Sequence, residues 1–361
     1  MPNNSLTLAV AGSRKTQGIV EACEAAPSGT KILVLTYTSA NQLELKTRLQ
    51  QLVGDRADIE VVGWFSFLIN EIVRPYVPYL FRGASVEGFD FNGDPRTYAT
   101  TESYGRYFNS NGSVLRAHLP QLAHQVEVAS NYRGMNRISS LYDRIYIDEV
   151  QDLCGYDLEI LKLLMELDTE LIMVGDVRQA ILATNPRERK NKPYMYMEIW
   201  KWFKQQERLG KIVISQSNQT FRCRPEIARL ADSMFSDEWG FEETESLNSA
   251  TTSHDGIFLV KTQDIQAYVD EFNPLFLRYS ANSARSLQYD FMNIGLSKGL
   301  TRQRVLIMPT LDYTKFLKTG KELTSSQASY LYVAVTRAEQ SVAFVMDVDG
   351  GSGIPFWTPT T

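Results

Sequence analysis

The chain has 361 residues, 43% of them hydrophobic, and a formal net charge of −5. That length suits two globular domains or slightly more, the apolar content is enough for substantial cores, and the mild acidity excludes a uniformly basic nucleic-acid binder while allowing local basic patches. Cys23, Cys154 and Cys223 lie far apart, the histidines are equally scattered, and no metal-ligand spacing appears, so free buried thiols are expected rather than a zinc site.

The start Met1-Pro-Asn-Asn-Ser lacks a basic leader region and no apolar run reaches transmembrane length. A soluble cytoplasmic protein without membrane association is the expectation. Residues 6–10 read as a buried strand. Ala11-Gly12-Ser13-Arg14-Lys15-Thr16 follows, and residues 17–24 read as a helix. Strand, small-residue turn, Lys-Thr and helix form the layout of a phosphate-binding loop. Backbone amides and the helix N-terminus hold phosphate oxygens, the Lys reaches the β- and γ-phosphates, and the Thr binds Mg²⁺. The strict pattern has glycine before the Lys, where Arg14 stands, and Val10 replaces another common glycine. Two readings are open. Either the loop closes differently and Arg14 adds charge near the phosphates, or nucleotide binding is impaired.

Residues 31–37 carry a strong strand signal. Residues 40–52 place Leu43, Leu45, Leu49 and Leu52 at broadly helical spacing, and residues 59–62 form another strand. Strands alternating with helices around such a loop predict a mostly parallel, helix-covered α/β sheet. Residues 70–141 break the rhythm with turn residues and many aromatics, among them Tyr76, Tyr79, Phe81, Phe89, Phe91, Tyr98, Tyr104, Tyr107 and Phe108. They read as an inserted subdomain whose rings fill a small core in preference to stacking on bases.

Arg144-Ile-Tyr-Ile-Asp148-Glu149-Val-Gln-Asp152 is the most informative run. Side chains alternate along a strand, so adjacent acids at its end face different ways. One can hold a metal shell while the next faces a nucleophilic water, the Walker B arrangement. Residues 171–176 form a further strand ending in Gly-Asp, with Gln179 shortly after. The basic segment 187–192 reads equally as a solvated loop or as a phosphate-backbone contact. A domain ends near Gly210, and strands are expected at 256–260, 304–308 and 341–346.

Asp148-Glu149-x-Gln151-Asp152 resembles motif II of superfamily-one helicases of the UvrD/Rep type, and the order of further segments makes the resemblance specific. Leu35-Thr-Tyr-Thr-Ser39 is similar to motif Ia, Trp64-Phe-Ser-Phe67 to motif Ib, Val174-Gly-Asp-Val-Arg-Gln179 to motif III, and Gln219-Thr-Phe-Arg222 to motif IV. Ser297-Lys-Gly-Leu300 with Val305-Leu-Ile307 looks like motif V, and Leu331-Tyr-Val-Ala-Val-Thr-Arg-Ala338 closely matches motif VI.

The resemblance implies two RecA-like P-loop domains, the first from residues 1–69 and 142–211, the second from 212–361, with 70–141 inserted. It implies ATP and Mg²⁺ as cofactors. Gly12, Ser13, Arg14, Lys15, Thr16, Gln17, Phe221 and Gly299 would contact nucleotide. Thr16 and Asp148 would hold the metal. Lys15, Asp148, Glu149, Gln179, Arg222 and the arginine finger Arg337 would serve hydrolysis, and Thr36, Tyr37, Trp64, Ser66 and Ser297 would contact nucleic acid.

Several features depart from the family. No adenine-reading Gln motif precedes the loop. Phe65 stands for a His in motif Ib, Leu182-Ala-Thr-Asn185 replaces the base-stacking Trp region after motif III, and Gly295 and Thr301 replace His and Glu in motif V. Motifs IV and V lie too close for the large accessory domain, so the chain resembles a short form. Short relatives include the helicase-like subunit of Gabija-type defence systems, which acts beside a nuclease subunit. The expected function is a DNA-stimulated ATPase acting on single-stranded DNA or DNA ends. The alternative is a helicase-like sensor or assembly subunit with little turnover.

Overall fold

The computed structural model describes residues 4–54, 56–94, 96–284 and 287–359. It is an α/β protein with two compact units. One unit holds the residues up to Leu8, Lys15–Gly175 and Ala183–Ser215. The other holds Ala9–Arg14, Asp176–Leu182 and the chain from Gln216 onward.

A six-stranded sheet runs, from one edge, Ile59–Gly63, Ile32–Thr36, Arg144–Ile147, Glu170–Gly175, Ser5–Ala9 and Val213–Ser217. The pairs among its first five strands are parallel. Ile32–Thr36 is buried at every position, as expected of a strand covered on both faces. Helices Lys15–Ala25 and Ser39–Val53 bury Ile19, Val20, Cys23, Leu45 and Leu49 against strand residues Ile32, Val34 and Val61. The second helix starts cleanly because the Thr38 hydroxyl accepts the Asn41 N–H at 3.2 Å.

After Ile59–Gly63 the chain leaves the sheet and returns at Arg144. The excursion contains a π-helical turn, Leu68–Val73, the helices Arg74–Leu80, Leu119–Ala129 and Arg133–Leu141, and a ribbon pairing Gly88–Asp90 with Ser113–Leu115. Its aromatics divide. Tyr107 and Phe108 are buried, whereas Phe91 and Tyr98 are 52% and 80% exposed. The core-filling expectation therefore holds for some rings only.

The second unit carries a five-stranded sheet ordered Gly256–Val260, Ala338–Val345, Arg302–Met308, Leu275–Arg278, Met292–Asn293, all parallel. Helix Ser325–Val335 is buried along most of its length and begins with a full capping box between Thr324 and Gln327. Cys23, Cys154 and Cys223 are buried free thiols, and burial pushes each up to about 11, well away from thiolate chemistry. Among the described residues no helix is long and apolar enough to cross a membrane.

Candidate functional site

In the first unit the carboxyl ends of parallel strands converge, the usual place for ligand chemistry in an open α/β sheet. Arg144–Ile147 delivers Asp148, which is 2% exposed. Its backbone N–H donates to Leu35 O at 2.8 Å, its Oδ1 accepts from the Glu149 N–H at 2.9 Å, and its Oδ2 accepts from the Thr16 hydroxyl at 3.0 Å. Burial, and next the neighbouring Glu149 charge, push the Asp148 carboxyl above the usual range, against the pull of Lys15. A bound cation would oppose that shift.

Glu149 sits in the left-handed region, with φ 55°. It pairs with Lys15, Nζ to Oε1 at 3.1 Å, and also accepts from Gln151 Nε2. One acid thus meets the Thr hydroxyl and the other meets the Lys ammonium.

The second unit contains the loop Ala9–Arg14. Val10 N–H donates to Ser217 O at 3.1 Å, Phe221 N–H donates to Gly12 O at 3.0 Å, and the Thr220 hydroxyl donates to Ala11 O at 2.7 Å. Gly12 has φ 78°, and a Cβ there would lie 2.5 Å from Arg222 Cβ, so this turn requires glycine. Arg14 also has positive φ, 62°, with its guanidinium 3.9 Å from the centre of the Phe221 ring. Arg222 donates through Nη1 to Thr336 O at 3.1 Å.

A buried hydrogen-bond network ties this loop to two later segments. Ala11 N–H donates to the Tyr332 hydroxyl at 3.1 Å, and that hydroxyl donates to Asp176 Oδ2 at 3.0 Å. Gln179 Nε2 donates to the same carboxylate oxygen at 2.9 Å, and Arg337 Nη2 donates to Gln179 Oε1 at 3.0 Å. Arg337 is 1% exposed, with Nε on Val333 O at 2.9 Å and Nη1 on Leu300 O at 3.2 Å. Asp176 and Tyr332 were not among the expected site residues. Each lies inside a segment the sequence singled out, so position was the only available signal.

The remaining expected residues divide by exposure. Gln17 bridges Glu21 and Arg48 on the helix surface. Gly299 has φ 90° in the turn where Leu300 N–H bonds Ser297 O at 3.0 Å. Trp64 is buried with its indole N–H donating to Asp157 Oδ1 at 2.6 Å, and Ser297 is buried with its hydroxyl donating to Ile294 O at 2.8 Å. Neither offers a surface to a nucleic-acid strand here, because both are committed to internal polar partners. Thr36 is also buried, with a hydroxyl that lacks a partner. Tyr37 is half-buried and Ser66 exposed.

The residues present fit ATP and Mg²⁺. Ser13 Oγ is a buried polar atom with no partner, in the loop that would meet phosphate. Among the described residues no group of three or more His, Cys, Asp or Glu could hold a metal ion. Mg²⁺ needs less, since it keeps several waters and takes one or two carboxylates plus substrate phosphates. Thr16 and Asp148, hydrogen-bonded to each other at 3.0 Å, would supply that share.

The UvrD/REP helicase N-terminal domain family matches residues 92–184, from the inserted segment through the acid-bearing strand. A comparison with curated proteins finds no match. Among solved structures, the arterivirus nonstructural protein 10 helicase in complex with DNA aligns at TM-score 0.50 and 14% identity, over 98% of this chain and 62% of that one. A crystal structure of arterivirus nonstructural protein 10 aligns at 0.48 and 17%, over 97% of this chain and 61% of that one. The PRRSV helicase aligns at 0.46 and 14%, over 96% and 53%. The chain thus spans between 53% and 62% of the helicases it matches. Its fold has RecA-like α/β units with mostly parallel, helix-covered sheets, similar to that of the arterivirus helicase solved with DNA.

Proposed function

We propose that the chain is an ATP hydrolase of the superfamily-one helicase type, stimulated by single-stranded DNA, that translocates on or remodels its strand. The observation that carries this reading is the separation of duties at the strand end, where Asp148 meets Thr16 and Glu149 meets Lys15. Thr16 and Asp148 would hold Mg²⁺, and Mg²⁺ neutralises developing phosphate charge when bound. Loop residues Gly12, Ser13, Arg14, Lys15 and Thr16 would hold the phosphates through amides, hydroxyls and the Lys charge, with Gln17, Phe221 and Gly299 as further nucleotide contacts. Glu149 would accept the proton of the attacking water. Gln179, Arg222 and Arg337 would stabilise charge on the transferring phosphoryl group. Through the linked hydrogen bonds from Ala11 to Arg337, phosphate occupancy of the loop would be felt at the arginine.

The domain organisation proposed is a first RecA-like domain from residues 1–69 and 142–211, an insert from 70–141, and a second RecA-like domain from 212–361. Tyr37 and Ser66 are the proposed nucleic-acid contacts that reach the surface. A nuclease-containing defence or repair complex is the proposed setting, tested by copurification from the native host.

A second reading, a nucleotide- or DNA-binding sensor with little turnover, is favoured by one observation. Arg14 sits in a left-handed conformation at a position that normally requires glycine. Phosphate release with and without oligo-dT separates the two. Turnover that Glu149→Gln removes supports the enzyme. ATP binding without turnover in the wild type supports the sensor.

A further inference from the structure

A cavity of about 680 Å³ in the first unit is lined by Tyr98, Arg106, Tyr156, Arg187, Arg189 and Lys190, among others. Four cationic side chains face it against one carboxylate, Glu188, in a chain whose net charge is −5. The Glu188 Oε1 is already engaged by the Arg189 and Lys190 backbone N–H groups, at 2.7 and 3.0 Å. Arg187 and Arg189 have no carboxylate partner among the described residues, and Lys190 has only a long pair with Glu159 at 3.8 Å. An uncompensated pair of guanidinium groups beside a cavity favours phosphate, which guanidinium binds bidentately.

The cavity adjoins an exposed aromatic cluster through the segment Arg116–His118, since Ala117 and His118 line the cavity. Arg116 lies 4.4 Å from the centre of Phe91 and donates to Thr184 O at 3.3 Å. Phe89 lies 5.6 Å from Phe65 and 6.1 Å from Phe91. Phe91 is 52% exposed and Phe89 36%. Rings left in water beside cations are what a single strand needs: phosphates take the charge, and bases of any sequence stack on the rings.

We infer that the basic cavity and the Phe65–Phe89–Phe91 cluster together bind a single-stranded polynucleotide, phosphates in the cavity and bases on the rings. The inference rests on the reading of the chain as a nucleic-acid-dependent ATPase, and ATP binding is measured separately so that the two can fail apart.

The test is fluorescence anisotropy of the full chain with labelled oligo-dT and oligo-rU across a salt series, beside binding of a fluorescent ATP analogue. The variants are Arg187→Ala/Arg189→Ala and, independently, Phe91→Ala; circular dichroism checks their folding. The double variant is expected to weaken oligonucleotide binding by roughly tenfold or more and to flatten the log–log salt slope by about 1.4, two phosphates' worth for a single strand. Phe91→Ala is expected to weaken it roughly fivefold or more without changing the slope. ATP-analogue binding should be unchanged in both. Preference between oligo-dT and oligo-rU identifies the strand type. Wild-type affinity and slope in both variants would overturn the inference while leaving the ATP reading intact. Loss of ATP-analogue binding in the double variant would overturn it too, marking the cavity as a mononucleotide pocket. If the wild type binds ATP but no oligonucleotide, this inference and the nucleic-acid part of the function fall together.

Discussion

Replacing Arg14 by glycine tests how this phosphate loop tolerates its unusual residue. Arg14 holds φ 62°, a region that costs an L-residue roughly 1–2 kcal/mol, so Arg14→Gly relieves that strain. Two terms oppose the relief. Glycine gains unfolded-state freedom worth about 0.4–1 kcal/mol. The contact of the exposed guanidinium with Phe221, 3.9 Å from the ring centre, is worth about 0.5–1 kcal/mol. The terms nearly cancel, to within about 1 kcal/mol, which corresponds to a thermal midpoint change below about 4 °C. Near the phosphates the lost charge-assisted contact is the larger effect. ATP binding should weaken by less than tenfold, or under about 1.4 kcal/mol, with hydrolysis still detectable. Thermal melts and isothermal titration measure both quantities. A gain in ATP affinity above about tenfold, or a large gain in phosphate release, would refute this reasoning. It would show that the native side chain blocks the loop, and the sensor reading would become the better one.

Other residues give equally direct tests. Glu149→Gln should abolish turnover while ATP binds as well as before or better, because the amide cannot accept a proton and Lys15 loses its ion pair. Equal hydrolysis by variant and wild type in a phosphate-release assay would remove Glu149 from catalysis. Lys15→Ala, by contrast, should weaken ATP binding itself, read by titration. Arg337→Lys should lower turnover more than ATP affinity, since a point charge cannot reproduce the guanidinium fork that reaches Gln179. Steady-state kinetics at saturating ATP decides, and a variant that loses only affinity would show Arg337 is no finger. His254 lies between the Phe258 and Phe272 rings, and burial, then Arg304, pushes it down to about 4. Unfolding therefore takes up a proton between pH 4 and the ordinary value near 6.5, so this contribution is present above that value and is lost as pH falls through about 4. His254→Phe should flatten the acid limb of a stability–pH curve measured by denaturant titration. An unchanged limb would mean the imidazole is protonated in the folded protein.

Much of the fold was legible because its signals are local. The apolar run at Ile32–Thr36 and the leucine spacing of Ser39–Val53 each specify an element within a few residues, and both formed where expected. The α/β class followed from their alternation. The positions of Lys15, Thr16, Asp148 and Glu149 could be chosen for the same reason: short motifs at strand ends carry their own chemistry.

What the sequence could not determine depends on residues far apart in the chain. Tyr332 bonds Asp176 across 156 positions and Ala11 across 321, and no spacing rule reaches that far. Trp64 was expected to contact nucleic acid, yet it is a core side chain whose indole N–H donates a hydrogen bond to a buried carboxylate 93 residues later. The aromatics of the insert have one composition but two fates, set by which rings the helices cover. Element types and local motifs are legible in short windows of the chain, since backbone preference and side-chain periodicity act over a few residues. Which polar groups share a buried network depends on the packing of distant segments, because desolvation favours pairing such groups wherever packing brings them together.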